Sequence, residues 1–134
     1  MQDMEHNQYS QETIDHFMNP RNVGKIENPD GVGIAGDPEC GDYIEITISV
    51  KDYFIKDIKF MVHGCVGAIS TSSMTTELAK GKPLMAAYAI SNEDVINALG
   101  GLPSEKEHCS LLGPIALKKA IVDYINKNKS ILEK

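Results

Sequence analysis

Large aliphatic residues alternate with polar or aromatic residues in the middle of the chain. Every second position from 44 to 50 is aliphatic, namely Ile44, Ile46, Ile48 and Val50. This period of two predicts a β-strand with one buried face. A turn at Lys51-Asp52 precedes a second alternating run at residues 55–63, in which Ile58, Phe60 and Val62 would face the core. Two such runs joined by two residues predict an antiparallel hairpin.

Before the hairpin, the pattern is first helical and then irregular. Ser10 is a candidate N-cap for a short helix that ends at Asn19-Pro20. Its apolar residues Ile14, Phe17 and Met18 would share one face. Residues 21–39 are rich in Gly, Pro, Asn and Asp, which predicts turns and one edge strand near residues 31–35.

After the hairpin, helical signals dominate. Small residues predict a helix over residues 66–80, and shorter helices are predicted at residues 84–90 and, from a capping box at Ser91, at 91–99. A last helix starts near Ser110, and its apolar residues are Leu111, Leu112, Ile115, Ile121, Val122 and Ile125. Strands followed by helices predict an α+β fold, with a small antiparallel sheet of about three strands and helices packed on one face.

Composition narrows the range of functions. The chain has 134 residues, of which 42% are hydrophobic and 24% charged, so we expect one domain over residues 1–134 with a flexible tail at 1–9. A net charge of -6 argues against nucleic-acid binding. No apolar run is long enough for a membrane span and the first residues are polar and acidic, so we expect a cytoplasmic protein. Three cysteines are too few for a disulfide framework, and reduced thiols are expected.

All three cysteines lie at junctions between predicted elements. In Cys40-Gly41-Asp42, the glycine lets a thiolate and a carboxylate turn towards one ion. Cys65 and Cys109 are each predicted at or just before a helix N-terminus, where free N–H groups favour a thiolate. A single such cysteine is more often a small buried apolar residue. Three of three at element junctions favour a shared metal or cluster site.

The positions of the other candidate ligands are compatible with more than one role. His108 adjoins Cys109, and adjacent side chains of an extended segment point apart, so both can bind only if the loop kinks. Asp42 is a candidate ligand, or it caps the turn after Gly41. His63 is interpreted as a half-exposed residue at the end of a strand. The chain has no CxxC pair of the kind found in structural zinc sites, and stable iron–sulfur carriers use four thiolates. Three thiolates and a carboxylate would hold a cluster less firmly, which suits a protein that releases its cluster.

On these residues the chain resembles the IscU/NifU-type iron–sulfur cluster assembly scaffolds over residues 9–124. The motifs that carry the resemblance are Tyr9-Ser10, Asp15-His16-Phe17, Asn19-Pro20-Arg21-Asn22-Val23-Gly24, Cys40-Gly41-Asp42, Gly64-Cys65 and His108-Cys109-Ser110. The runs at residues 26–30 and 100–106 look most like the N-terminal domain of NifU-type proteins.

The resemblance implies a scaffold or carrier rather than a classical enzyme. Iron, sulfur from a cysteine desulfurase and electrons from a donor such as ferredoxin would form a labile 2Fe–2S cluster for transfer to apo-proteins. The implied ligands are Cys40, Asp42, Cys65, His108 and Cys109, with Cys109 as the persulfide acceptor and with iron, or zinc in the resting form, as the metal. Tyr9 matches a tyrosine that the family links to self-association, which indicates a homodimer.

One departure and two alternatives accompany the resemblance. The family carries Leu-Pro-Pro-Val-Lys as a chaperone recognition site, whereas this chain reads Leu102-Pro103-Ser104-Glu105-Lys106, which puts delivery by an Hsp70-type chaperone in doubt.

The main alternative is a zinc-dependent SufU-like sulfurtransferase, a class with an insertion between its second and third cysteines that the interval from Cys65 to Cys109 lacks. A zinc-stabilised interaction domain without transfer chemistry is the third interpretation.

Overall fold

The computed structural model describes residues 9–36 and 42–128. These residues form a three-stranded antiparallel sheet in the order β1-β2-β3. The strands are β1 (Gly31–Gly36), β2 (Tyr43–Lys51) and β3 (Phe54–His63). The helices are α1 (Gln11–Met18), α2 (Val66–Ala79), α3 (Leu84–Tyr88), α4 (Asn92–Ala98), a 3-10 helix (Ser104–Leu111) and α5 (Leu112–Lys127). The α+β class with a three-stranded sheet and helices on it is therefore confirmed, while the predicted tail falls outside the described residues apart from Tyr9.

The hairpin forms where the alternation predicts it. Ile44, Ile46 and Ile48 of β2 are fully buried. Lys51 pairs with Phe54, so the two turn residues are Asp52 and Tyr53, one position later than predicted. Both have positive φ, 56° and 68°, as a two-residue turn of the mirror-image type requires. That turn matches the right-handed twist of the strands it connects.

A register shift between Ser49 and Val50 changes which residues of β3 reach the core. Because of this irregularity, Ile55 is buried together with Ile58 and Phe60, although the distance from 55 to 58 breaks simple alternation. Val62, the third predicted core residue, is only half-buried.

The last helix buries only part of its predicted apolar set, since Ile121 is fully buried and Leu112 and Ile125 pack against the core. Leu111, Ile115 and Val122 are 41–44% exposed, whereas the residues at the sheet are mostly small. The buried residues of α5 are Gly113, Pro114, Ala116, Leu117, Ala120 and Ile121. The reason lies in β1, where a Cβ on Gly31 or Gly33 would collide with the backbone carbonyl of Ala120 or Ala116. Helix and strand backbones thus touch directly, and this contact excludes large side chains.

The first helix also presents an unexpected face. Ser10 caps α1 by accepting the Thr13 N–H at 3.0 Å, as predicted. Its fully buried residues, however, are Thr13 and His16, whereas Ile14 and Phe17 of the predicted apolar face are half-buried and Met18 is 67% exposed. Polar residues are buried here because α1 packs on α2, whose buried side consists mostly of serine and threonine.

The short helices follow their sequence signals closely. Ser91 and Asp94 form the predicted capping box at the start of α4. Gly100 and Gly101 then leave the helix with φ of 80° and 106°, values that glycine adopts without strain. Two ends differ: α3 stops at Tyr88 rather than at residue 90, and α5 starts at Leu112, after a 3-10 helix that the sequence pattern did not predict.

Candidate metal centre

The end of the β2–β3 hairpin that lies opposite its turn brings two predicted site segments together. Tyr43 pairs with His63 across the two strands, so Asp42, just before β2, lies beside Gly64, just after β3. A Cβ added to Gly64 would lie 3.4 Å from Asp42 Oδ1. The exposed Asp42 carboxylate is therefore placed next to the segment that leads into Cys65.

Cys65 is the N-cap residue of α2. Its backbone is extended, with φ -81° and ψ 179°, and its side chain makes no capping hydrogen bond. The first turn of α2 contains no acidic residue. The half-buried sulfur therefore lies at the positive end of a 14-residue helix, as the sequence predicts, in a place that favours an anionic ligand.

Cys109 approaches Cys65 from the 3-10 helix. The two Sγ atoms are 3.5 Å apart although the residues are separated by 44 positions, and neither sulfur is part of a disulfide. Cys109 is buried, with 3% of its surface exposed. The Thr71 hydroxyl of α2 lies 3.1 Å from the Cys109 carbonyl oxygen and 2.7 Å from that of Gly67, so it ties the 3-10 helix to α2.

The predicted position of Cys109 at the start of the last helix is wrong. Cys109 lies within the 3-10 helix, three residues before Leu112 begins α5. The 3-10 helix also allows His108 and Cys109 to face the same site. Because the segment is helical rather than extended, neighbouring side chains need not point apart, and His108 Nε2 lies 3.7 Å from Cys109 Sγ. His108 is exposed and can reach the same centre.

Gly67 is buried and leaves room for about one methyl group beside the sulfur pair. A Cβ at this position would lie 3.5 Å from Cys109 Sγ and 3.8 Å from Cys65 Sγ. Sequence reasoning did not identify Gly67 or Thr71 as site residues. The run of small residues after Cys65 was the sequence feature that could have indicated them. Their role, however, depends on the 3-10 helix that packs against α2.

The remaining predicted ligands are not all brought together in the described part of the chain. Among residues 9–36 and 42–128, no group of three or more His, Cys, Asp and Glu side chains is arranged to hold a metal ion. Cys40 lies outside the described residues, so its membership of the site stays a prediction. His63 is exposed at the end of β3, and its ring stacks on that of Tyr43, with 6.3 Å between ring centroids.

A buried polar cluster supports α2 from the side of α1. His16, for which the sequence offered no context, is 7% exposed and its Nδ1 lies 2.7 Å from Ser73 Oγ. The same hydroxyl oxygen accepts the Arg21 backbone N–H at 2.9 Å. Burial, followed by the nearby Arg21 charge, lowers the pKa of His16 below its ordinary value, so the neutral ring is the form that fits.

The comparison with known proteins decides the family. The NifU-like N terminal domain family matches residues 8–131. The chain belongs to this family. It is 58% identical over 123 residues to the iron-sulfur cluster assembly scaffold protein IscU 1 of Archaeoglobus fulgidus, covering 92% of this chain and 80% of the relative. It is 46% identical over 126 residues to the corresponding IscU of Escherichia coli K12, covering 91% and 98%. The resemblance drawn from the sequence motifs is thus confirmed.

Two solved structures share the fold of this chain. The N-terminal part of a nitrogen-fixing NifU-like protein from Brucella abortus superposes with a TM-score of 0.71 at 17% identity, covering 92% of this chain and 99% of that one. The protein FiSufU from Fervidobacterium islandicum AW-1 gives a TM-score of 0.68 at 23% identity, covering 84% and 96%. At these identities, both likenesses concern the fold alone.

No helix within residues 9–36 and 42–128 combines the length and the apolar character that crossing a membrane demands.

Proposed function

We propose that this NifU-like domain is a scaffold on which a labile 2Fe–2S cluster is assembled from iron and desulfurase-derived sulfur, and from which it passes to apo-proteins. The observation that supports this proposal is the 3.5 Å contact of the Cys65 and Cys109 sulfurs. The contact lies within a domain whose relatives at 46–58% identity are named iron-sulfur cluster assembly scaffold proteins. Soft thiolates are the ligands that iron–sulfur clusters use in proteins.

The proposed ligand set is Cys40, Asp42, Cys65 and Cys109, with His108 as an exchangeable ligand. Asp42 is exposed at the edge of the centre, and His108 is exposed beside Cys109, so either can occupy a fourth position that a recipient's thiol displaces. The carboxylate oxygen and the imidazole nitrogen are harder donors than a thiolate sulfur. The ligand at the fourth position should therefore bind iron more weakly than the three cysteines do. The cluster is cargo in this proposal, so weak retention at one iron serves release.

The partners follow from the chemistry that assembly needs. A cysteine desulfurase supplies sulfane sulfur to Cys109, an electron donor such as a ferredoxin supplies reducing equivalents, and apo-proteins receive the cluster. The chain itself acts as acceptor and carrier rather than as an enzyme with turnover. Self-association as a homodimer belongs to the same proposal, whereas the sequence at residues 102–106 gives no support to an Hsp70-type chaperone.

Anaerobic reconstitution tests the proposal. The protein is incubated with ferrous iron, cysteine and a cysteine desulfurase, and the product is analysed by absorption spectroscopy and by iron, zinc and sulfide determination. A red-brown protein with charge-transfer bands that activates an apo-ferredoxin is the expected result. A colourless zinc protein that stimulates the desulfurase would instead identify a SufU-like sulfurtransferase. Loss of folding on chelation without any sulfur uptake would identify a zinc-stabilised interaction domain.

A further inference from the structure

The sulfurs of the two described cysteines are in direct contact. Cys65 Sγ and Cys109 Sγ lie 3.5 Å apart, and both residues are held by packed helical segments. Formation of a disulfide needs a further approach of about 1.5 Å, since the S–S bond is about 2.0 Å long. The partly exposed Cys65 stands at the N-cap, where side-chain rotation is not restrained by a capping hydrogen bond.

We propose that Cys65 is the resolving thiol that reduces a persulfide on Cys109 and so releases the sulfide that cluster assembly consumes. This inference rests on the proposed scaffold function. The Cys65 sulfur attacks the inner sulfur of the Cys109 persulfide, and the bond between the inner and outer sulfurs breaks. The products are a Cys65–Cys109 disulfide and hydrogen sulfide. The two cysteine sulfurs are oxidised, the sulfane sulfur is reduced by two electrons, and the two protons of the thiol and the persulfide leave with the sulfide.

The geometry favours attack on the inner sulfur. The inner sulfur of the persulfide is Cys109 Sγ itself, and it is the atom that Cys65 Sγ already contacts. Displacement at that atom requires the outer sulfur to leave on the side of Cys109 Sγ that faces away from Cys65. Attack on the outer sulfur would only move the persulfide to Cys65 and would release nothing.

The step also defines what the electron donor must do. The Cys65–Cys109 disulfide cannot bind iron through two thiolates until it is reduced again. A dithiol or an iron–sulfur electron donor must therefore deliver two electrons to the protein disulfide after each sulfide released. The scaffold would couple sulfide release to the redox state of its own ligands.

Sulfide release from iron-free protein tests the inference without cluster formation. Fully reduced protein is treated with glutathione persulfide and desalted, and sulfide is then trapped with monobromobimane in the absence of any reductant. Non-reducing peptide mass spectrometry locates the sulfur and the disulfide. Wild type should release about one sulfide per Cys65–Cys109 disulfide formed. Cys65→Ser should retain a persulfide on Cys109 and release sulfide about tenfold more slowly or less.

The matched control is Ser72→Ala on α2, which changes a buried serine outside the proposed ligand set and leaves the described sulfur pair intact. It should release sulfide and form the disulfide as wild type does. Serine is a stronger N-cap than cysteine, so Cys65→Ser should keep the fold, which circular dichroism checks. Sulfide release by Cys65→Ser at the wild-type rate would overturn the inference. A stable persulfide on the wild-type protein, a disulfide that involves Cys40, or a Cys65→Ser protein that takes up no sulfur would overturn it as well.

A parallel experiment separates this inference from the scaffold function itself. Wild-type protein is titrated anaerobically with ferrous iron and inorganic sulfide in the presence of dithiothreitol, so that no persulfide is needed. Failure to form a cluster there would remove the scaffold function. Failure in the persulfide experiment alone would remove only the resolving role of Cys65.

Discussion

Gly67→Ala should separate the stability of the fold from the capacity to hold a cluster. Gly67 lies in the first turn of α2, where its φ is not positive, and an added Cβ would lie 3.5 and 3.8 Å from the two site sulfurs, which is ordinary van der Waals contact. The methyl group therefore fits the protein without a cluster. Alanine is favoured over glycine in a helix by about 0.5–1 kcal/mol, so the variant should be as stable as wild type or slightly more stable.

The same methyl group should reduce cluster assembly. Carbon and sulfur atoms in contact are already about 3.5–4.0 Å apart, so no iron or further sulfur can enter on that side of the sulfur pair. We expect the melting temperature to rise by about 2–4 °C. Cluster content after anaerobic reconstitution, measured as iron and sulfide per chain, should fall well below that of wild type.

Ser72→Ala is the matched control on the same helix. Among the described residues, the buried Ser72 Oγ has no hydrogen-bond partner, so its removal should stabilise the protein by about 1 kcal/mol. This variant should assemble a normal amount of cluster. If Gly67→Ala assembles as much cluster as Ser72→Ala and wild type, the space beside the sulfurs is not used and the reasoning is refuted. A loss of helix content in Gly67→Ala would refute it in another way, because the methyl group would then not fit.

Three further predictions concern single side chains. Cys40→Ser, Cys65→Ser and Cys109→Ser should each abolish stable cluster assembly with little loss of fold, because each removes one thiolate from a site without a spare; full iron and sulfide content in one variant would exclude that cysteine as a ligand. Asp42→Ala should assemble a cluster that persists longer and transfers more slowly to apo-ferredoxin, and transfer at the wild-type rate would show that the carboxylate does not set lability. Burial lowers the pKa of His16 in the folded protein, so the unfolded chain takes up the proton first as the pH falls. Stability should therefore decrease as the pH drops below about 6.5, the ordinary pKa of histidine. Urea denaturation of His16→Gln between pH 5 and 8 should show a weaker pH dependence than wild type, and an unchanged slope would contradict the assignment.

Local sequence patterns predicted most of the helices and strands and the starts of two helices. The period of two at residues 44–50 defined a strand because one buried face admits only that spacing of aliphatic side chains. Ser10 and Ser91 marked helix starts, since their hydroxyls accept the unpaired N–H groups of a first turn. The family motifs also predicted Cys65 and Cys109 as site residues. Each of these signals is local, because it depends only on residues that are close together in the sequence.

Packing between elements determines which faces are buried and which side chains meet. Ile115 and Val122 of α5 are exposed, whereas Ala116 and Ala120 lie against β1, because Gly31 and Gly33 bring the strand backbone up to the small residues of the helix. His16 is buried because α1 packs on a helix of hydroxyl side chains rather than on an apolar one. The contact of Cys65 with Cys109 joins residues 44 positions apart through a 3-10 helix whose position depends on its packing against α2. Sequence periodicity describes one element at a time, whereas each of these outcomes depends on the surface of a second element.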